Sequence, residues 1–183
     1  MQAGKWVFID EPIAGSLADA VQVFREAEQA GGPVFSSSSL RYGTNSQAAR
    51  AGIFGRITRC ETHGPATIEK THPDLFWYVI HGCESLFTVK GTGCRTIQRS
   101  SDDGRIVVTG TWKDGRIGVY REGSGHGGYA KGDKGDGEVG SYDTCRPLVV
   151  EIVKVFRTGQ SPVDPAGSFR KATELTPLAS GQD

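Results

Sequence analysis

The sequence predicts a short α/β segment followed by an α+β domain, on three observations. Two apolar runs, Trp6–Ile9 and Val34–Phe35, bracket a stretch with helical periodicity, as in a single βαβ unit. The pairs Asp103-Gly104 and Asp114-Gly115 lie between alternating runs, the signature of antiparallel hairpins. Two apolar-striped stretches, Thr71–Gly93 and Arg146–Thr158, stand on either side of those hairpins and supply helices.

Trp6–Ile9 is unbroken by polar residues, which suits a strand covered on both faces. Ser16 with Asp19 three residues on opens a helix. Leu17, Ala20, Val21, Phe24 and Ala27 make its inward face, and Gly31-Gly32-Pro33 ends it. Val34 and Phe35 begin a second strand that runs into Ser36–Leu40, parallel to the first through a right-handed crossover. Parallel strands want cover on both faces, so the pair reads as the end of a larger sheet. Residues 41–54 read as a polar connection and Gly55–Glu61 as a strand.

Thr71–Gly93 reads as the longest helix. Leu75, Phe76, Val79, Ile80, Cys83 and Phe87 recur on one stripe, Thr71 and Asp74 form a capping-box-like start, and Gly91 is a stop. In such a helix His81 shares a flank with Trp77, while His72 points to the opposite side, so the two histidines cannot share a metal. Arg95–Arg99 pairs with Arg105–Thr109, and Gly110–Trp112 with Arg116–Tyr120, about the two Asp-Gly turns. Gly123–Gly137 is dense in glycine and reads as a long mobile loop. The last helix spans Arg146–Thr158 with Leu148, Val149, Ile152, Val153 and Phe156 inward. The organisation is then 1–40 for the βαβ unit, 41–165 for the α+β domain, and 166–183 for a frayed, Pro- and Gly-broken tail.

Composition narrows the partners. The chain has 183 residues with 21 basic and 21 acidic, interspersed, which argues against nucleic acid. No apolar run approaches the ~20 residues of a membrane span, and the N-terminus lacks a signal-peptide pattern, so a cytoplasmic location is the expectation. Cys60, Cys83, Cys94 and Cys145 have no zinc-ligand spacing and read as scattered thiols. Gly-Ser-Gly-His-Gly-Gly at 123–128 follows a strand but precedes no helix, so it does not meet the requirements of a dinucleotide fingerprint.

Three places could carry chemistry. His81 is suited to proton transfer near neutral pH, or is a histidine packed on Trp77. Asp10-Glu11-Pro12, at the carboxyl end of the first strand, either meets a ligand or is an acidic turn before a helix. Ser36–Ser39 ends the second strand in hydroxyls that reach a crevice or satisfy local backbone groups. No residue set reads as a metal site.

The runs KWVFIDEPIAGSLADAVQVF, FSSSSLRY, HPDLFWYVIHGCESLFTVKGTG, VTGTWKDGRIGVYREG and PLVVEIVKVFRTGQSPV resemble the Gfo/Idh/MocA (glucose–fructose oxidoreductase / inositol dehydrogenase-like) family. The resemblance covers about residues 4–165. It implies that the βαβ unit is the last part of a Rossmann domain, followed by a C-terminal domain with a largely antiparallel sheet and flanking helices. It implies NAD(P) as cofactor, a sugar or polyol as substrate, and a homo-oligomer built through the sheet. Asp10, Glu11 and Pro12 fall on the family's Glu-Lys-Pro signature at the cofactor, with Glu11 in place of the lysine. His81 falls on the histidine of its Asp-x-Gly-x-His helix motif as the catalytic position, with Trp77 on the acid. Arg41 and Trp77 are further candidates for substrate contact. The Gly-x-Gly-x-x-Gly half of the Rossmann fold is not in the sequence. The chain therefore reads as an N-terminally truncated member that does not bind NAD(P) alone, the alternative being a non-catalytic carbohydrate-binding or oligomerisation module.

Overall fold

A computed structural model describes residues 3–32 and 34–163. The tail expected at 166–183 lies outside the described residues. The βαβ unit is present as β1 (Val7–Phe8), α1 (Leu17–Gln29) and β2 (Val34–Phe35), with β1 and β2 parallel. Ser16 caps α1 by accepting from the Asp19 backbone N–H at 3.1 Å. Ala27 is buried, but Leu17 is 49% exposed because it opens the helix outside the contact with the strands.

A 3-10 turn at Ser39–Tyr42 and the helix α2 (Thr44–Arg50) replace the polar connection expected at 41–54. Asp143 accepts from the Thr44 N–H at 2.7 Å, a cap supplied from a hundred residues away that local sequence does not reveal. Next come β3 (Ile57–Gly64), α3 (Ile80–Lys90), β4 (Cys94–Asp102), β5 (Arg105–Trp112), β6 (Ile117–Glu122), β7 (Gly127–Gly132), β8 (Asp136–Val139) and α4 (Arg146–Thr158). The sheet order is β4-β5-β6-β3-β7-β8, antiparallel except for the parallel pair β3·β6. Both Asp-Gly hairpins form, with Asp103 and Gly104 at φ of 50° and 76° as a tight turn requires, and Gly110–Trp112 continues the strand begun at Arg105.

Three further expectations are corrected. Gly123–Gly137 is largely two strands rather than a mobile loop, and β7 lies directly beside the central strand β3. Its glycines are there for close approach: a Cβ on Gly128 would lie 2.3 Å from the Glu61 carbonyl oxygen, and one on Gly132 1.9 Å from that of Phe54. The helix expected from Thr71 begins only at Ile80. Pro73 and Asp74 shape a turn instead, with Asp74 at φ 46° and Phe76 N–H bonding the Pro73 carbonyl, while Thr71 bonds the ring of His72 rather than capping a helix. In α4, Leu148 and Val155 are buried, whereas Val149, Val153 and Phe156 face outward. The helix packs against the 3-10 turn on one narrow stripe, so only part of its apolar surface is covered.

The core lies between the sheet and the helices α2 and α3, around Cys60, Leu86, Trp112, Ala130 and Val139. All four cysteines are free thiols, and burial pushes Cys60 and Cys83 up to about 12. α3 sits close on the sheet because Gly82 has no side chain: a Cβ there would lie 2.5 Å from the Tyr120 ring. Thr62 fixes this contact by donating to the Gly82 carbonyl at 2.9 Å.

Candidate active site at the seam of β1 and α3

His81 stands in the first turn of α3, one residue before the glycine that docks the helix on Tyr120. Backbone packing thus decides where the imidazole goes, and it meets the end of β1. His81 Nδ1 lies 3.2 Å from Glu11 Oε1, and the Glu11 side chain is only 8% exposed. Ser38, fully buried at the end of β2, places its Oγ 2.9 Å from the same Nδ1. Three segments distant in sequence converge on one ring nitrogen.

A carboxylate can only accept, so Nδ1 carries a proton, and in the neutral imidazole Nε2 is then the nitrogen that can act as a base. Burial pushes the Glu11 carboxyl up. Hydrogen bonds from His81, from backbone and from Ser38 outweigh that and hold it below the usual carboxylate value. Asp10 next door is pushed up, by burial and then by the charge of Glu11. Ser38 and Glu11 share one nitrogen rather than facing opposite ones, so the ring cannot relay a proton between them, and this is not a serine hydrolase triad. The arrangement can hold an imidazole in one tautomer and present Nε2 to a ligand.

Around the ring, Tyr78 packs edge-on at 4.7 Å and His126 at 5.7 Å. Burial and then the neighbouring His81 and His63 hold His126 below the usual histidine value. Among the described residues no group of His, Cys, Asp and Glu forms a metal-binding set.

The sequence-derived candidates thus divide. Asp10, Glu11 and Pro12 reach the seam, Glu11 in direct contact with His81 and joined to Pro12 through a cis peptide bond. Arg41 is near the seam but engaged, its guanidinium paired with Glu84, which also accepts from Ser37 at 3.2 Å. Trp77 is not on the flank of His81: it lies in the turn before α3 and packs on His72 at 4.6 Å. Sequence reasoning missed Glu84, Tyr78 and His126 as neighbours. Glu84 is three residues after His81, a spacing that could have suggested it.

No protein-family model and no curated protein matches the sequence. Solved structures do match. The aldose–aldose oxidoreductase of Caulobacter crescentus, solved with glycerol, superposes with a TM-score of 0.73 at 16% identity, over 95% of this chain and 68% of that one. The NAD-binding oxidoreductase of Klebsiella pneumoniae gives 0.71 at 14% identity, over 94% and 69%. The WlbA dehydrogenase of Bordetella pertussis, solved with NADH and UDP-GlcNAcA, gives 0.67 at 16%, over 95% and 68%. The fold is that of the Gfo/Idh/MocA-type oxidoreductases. This chain matches the part of that fold that carries the largely antiparallel sheet.

Several proteins with this fold were solved with NAD or NADH. A pyrophosphate needs free backbone N–H groups at a helix N-terminus behind a glycine-rich turn. The turn after β1 instead carries the carboxylates Asp10 and Glu11, and the first turns of α1 and α2 are capped by Ser16 and Asp143, while α3 and α4 begin without a side-chain cap. Among the described residues no glycine-rich turn of that kind leads from a strand into a helix N-terminus.

Proposed function

We propose that this chain carries the sugar- or polyol-holding part of an NAD(P)-dependent oxidoreductase, with His81 as its proton-transfer residue, and that the chain by itself is catalytically silent. The observation that carries the reading is the contact of His81 with Glu11 and Ser38 at the seam of β1 and α3. A base held in one tautomer suits removal of a hydroxyl proton. Glu11 stands where the resemblance calls for a lysine, and an anion there cannot stabilise a developing alkoxide. Residues 1–40 and 41–165 are then the two parts of the unit. Asp10, Glu11 and Pro12 take the position of the cofactor edge, and a cytoplasmic location goes with the reading.

The test is direct. NADH and NADPH titrated into the chain at micromolar concentration give no saturable fluorescence change, and a panel of polyols gives no reduction of NAD(P). Myo-inositol or glucose at millimolar concentration moves the NMR signals of His81 and its neighbours. Saturable NAD(P)H binding, or turnover of any polyol, overturns the silent part of the proposal. Absence of any sugar or polyol response at His81 overturns the rest.

A second reading, a homo-oligomerisation module, has its own support in the uncovered face of the six-stranded sheet, where Tyr129 is 52% exposed. Light scattering separates the two: a discrete oligomer without a sugar response at His81 favours the module.

A further inference from the structure

Three of the four histidines, His63 on β3, His81 on α3 and His126 in the turn between β6 and β7, meet at one end of the sheet. The proton transfer assigned to His81 uses neither of the others. Glycines make room for them: a Cβ on Gly64 would lie 3.0 Å from His126 Nδ1, and one on Gly127 2.8 Å from the His63 ring. The His126 ring stacks on Tyr78 at 6.0 Å and meets His81 edge-on at 5.7 Å. His81 is thus held by Glu11 and Ser38 at Nδ1 and bounded by the rings of Tyr78 and His126.

The turn Gly123-Ser124-Gly125-His126 has its start fixed by the Gly123 N–H, which bonds the Gly64 carbonyl at 2.9 Å. Ser124 and Gly125 are exposed, Gly125 at φ 69°, so His126 is the anchor that holds the rest inward. Its Nδ1 is shielded from solvent and has no hydrogen-bond partner among the described residues. A charge on this ring would be poorly answered. His63 from β3 and His81 from α3 are bases that can only add like charge, Tyr78 offers a ring, and Glu11 is committed to His81 at 3.2 Å. Along the uncovered face beyond His126, Arg59 and Lys131 are cations, Glu61 is paired with Arg121 at 3.2 Å, and Glu138 stands across from Tyr129, three residues further on. Burial, then His81 and His63, accordingly hold His126 below the usual histidine value. The sign is fixed by that direction. A ring neutral when packed and free to charge when released changes nothing above its ordinary 6.5, and favours release as the pH falls through it.

We propose that the β6–β7 turn is an acid-released cover over His81 with His126 as its latch, packed on Tyr78 and His81 while the ring is neutral and withdrawn once it is charged. This holds whatever ligand His81 meets, and it sets the condition under which the imidazole is open to solvent.

The test uses the full chain with 13C-labelled histidine and a neutral gadolinium chelate as relaxation probe, at about pH 7.5 and about pH 5, on either side of the ordinary histidine value. Relaxation of the His81 ring signal is expected to rise about threefold or more on acidification, in step with the titration of His126, while His72 shows no such rise. His126→Phe keeps a ring on Tyr78 but cannot take up a proton, and is expected to hold His81 at its neutral-pH value in acid. His126→Ala is expected to leave His81 open at both pH values. The amides of Cys60 and Ala130 are expected to keep their hydrogen-exchange protection in acid, which separates opening of the turn from unfolding of the sheet. A flat His81 response in the wild type, the same rise in His126→Phe, no opening in His126→Ala, or loss of protection at Cys60 and Ala130 together with the turn would each overturn the proposal. Should a variant fail to fold, the wild-type comparison decides by itself.

Discussion

At the scale of single residues, the pair Glu11–His81 concentrates the chemistry. Glu11 is buried, charged and partnered, so removing its charge while keeping its shape leaves the imidazole N–H and the Ser38 hydroxyl with a poorer acceptor. Glu11→Gln is expected to cost about 1–3 kcal/mol of stability at neutral pH, read from urea unfolding midpoints. The pH dependence has a definite sign. The folded-state carboxyl lies below its ordinary 4.5, so its contribution is complete above that value and is lost as the pH falls through the lower, folded-state one. The difference between wild type and Glu11→Gln therefore shrinks in acid, and a gap that widens there would contradict the assignment. His81 and Glu11 were both legible as candidates in the sequence, but their contact was not. Nothing local joins the end of the first strand to a histidine seventy residues on; tertiary packing, including the docking of α3 through Gly82 on Tyr120, brings them together. Trp77 misled for a related reason: its spacing from His81 places it on the same flank only if the helix starts early, and the turn at Pro73-Asp74 prevents that.

At the scale of elements, periodicity and turn chemistry served well where one rule governed. The two Asp-Gly hairpins, α1 and the limits of α4 follow from alternation, capping and an apolar stripe. The stretch Gly123–Gly137 did not follow, because its glycines serve packing against β3 rather than freedom of the chain. This distinction is testable within one hairpin. Gly132→Ala drives a Cβ to 1.9 Å from the Phe54 carbonyl oxygen, where backbone must move, whereas at Gly135 the nearest atom is the Phe54 ring at 3.6 Å, an ordinary contact. Thermal unfolding is expected to show a loss of at least about 2 kcal/mol for Gly132→Ala and a change within about 0.5 kcal/mol for Gly135→Ala. Equal effects would mean that the strand is held by something other than close approach.

At the scale of the whole molecule, stability is divided unevenly between the two parts. β1 and β2 share a ladder of two residues each and have no further strand beside them among the described residues, while the second sheet has six strands and a helix-covered face. Hydrogen exchange is expected to release the amide of Ile9, bonded to the Phe35 carbonyl at 3.1 Å, well before those of Cys60 and Ala130. Equal protection would show that the seam locks the two parts into one cooperative unit. The position of β3 sets a further condition, on the order of assembly. β4, β5 and β6 fold back on one another through tight turns, and β7 with β8 likewise, so each group closes over short stretches of chain. β3 is made before all of them yet belongs between them, its Cys60 paired with Gly118 on one side and Ala130 on the other. The middle strand must therefore wait, unpaired, until two hairpin groups synthesised later close on it from both sides, and that long-range closure sets the pace at which the chain folds.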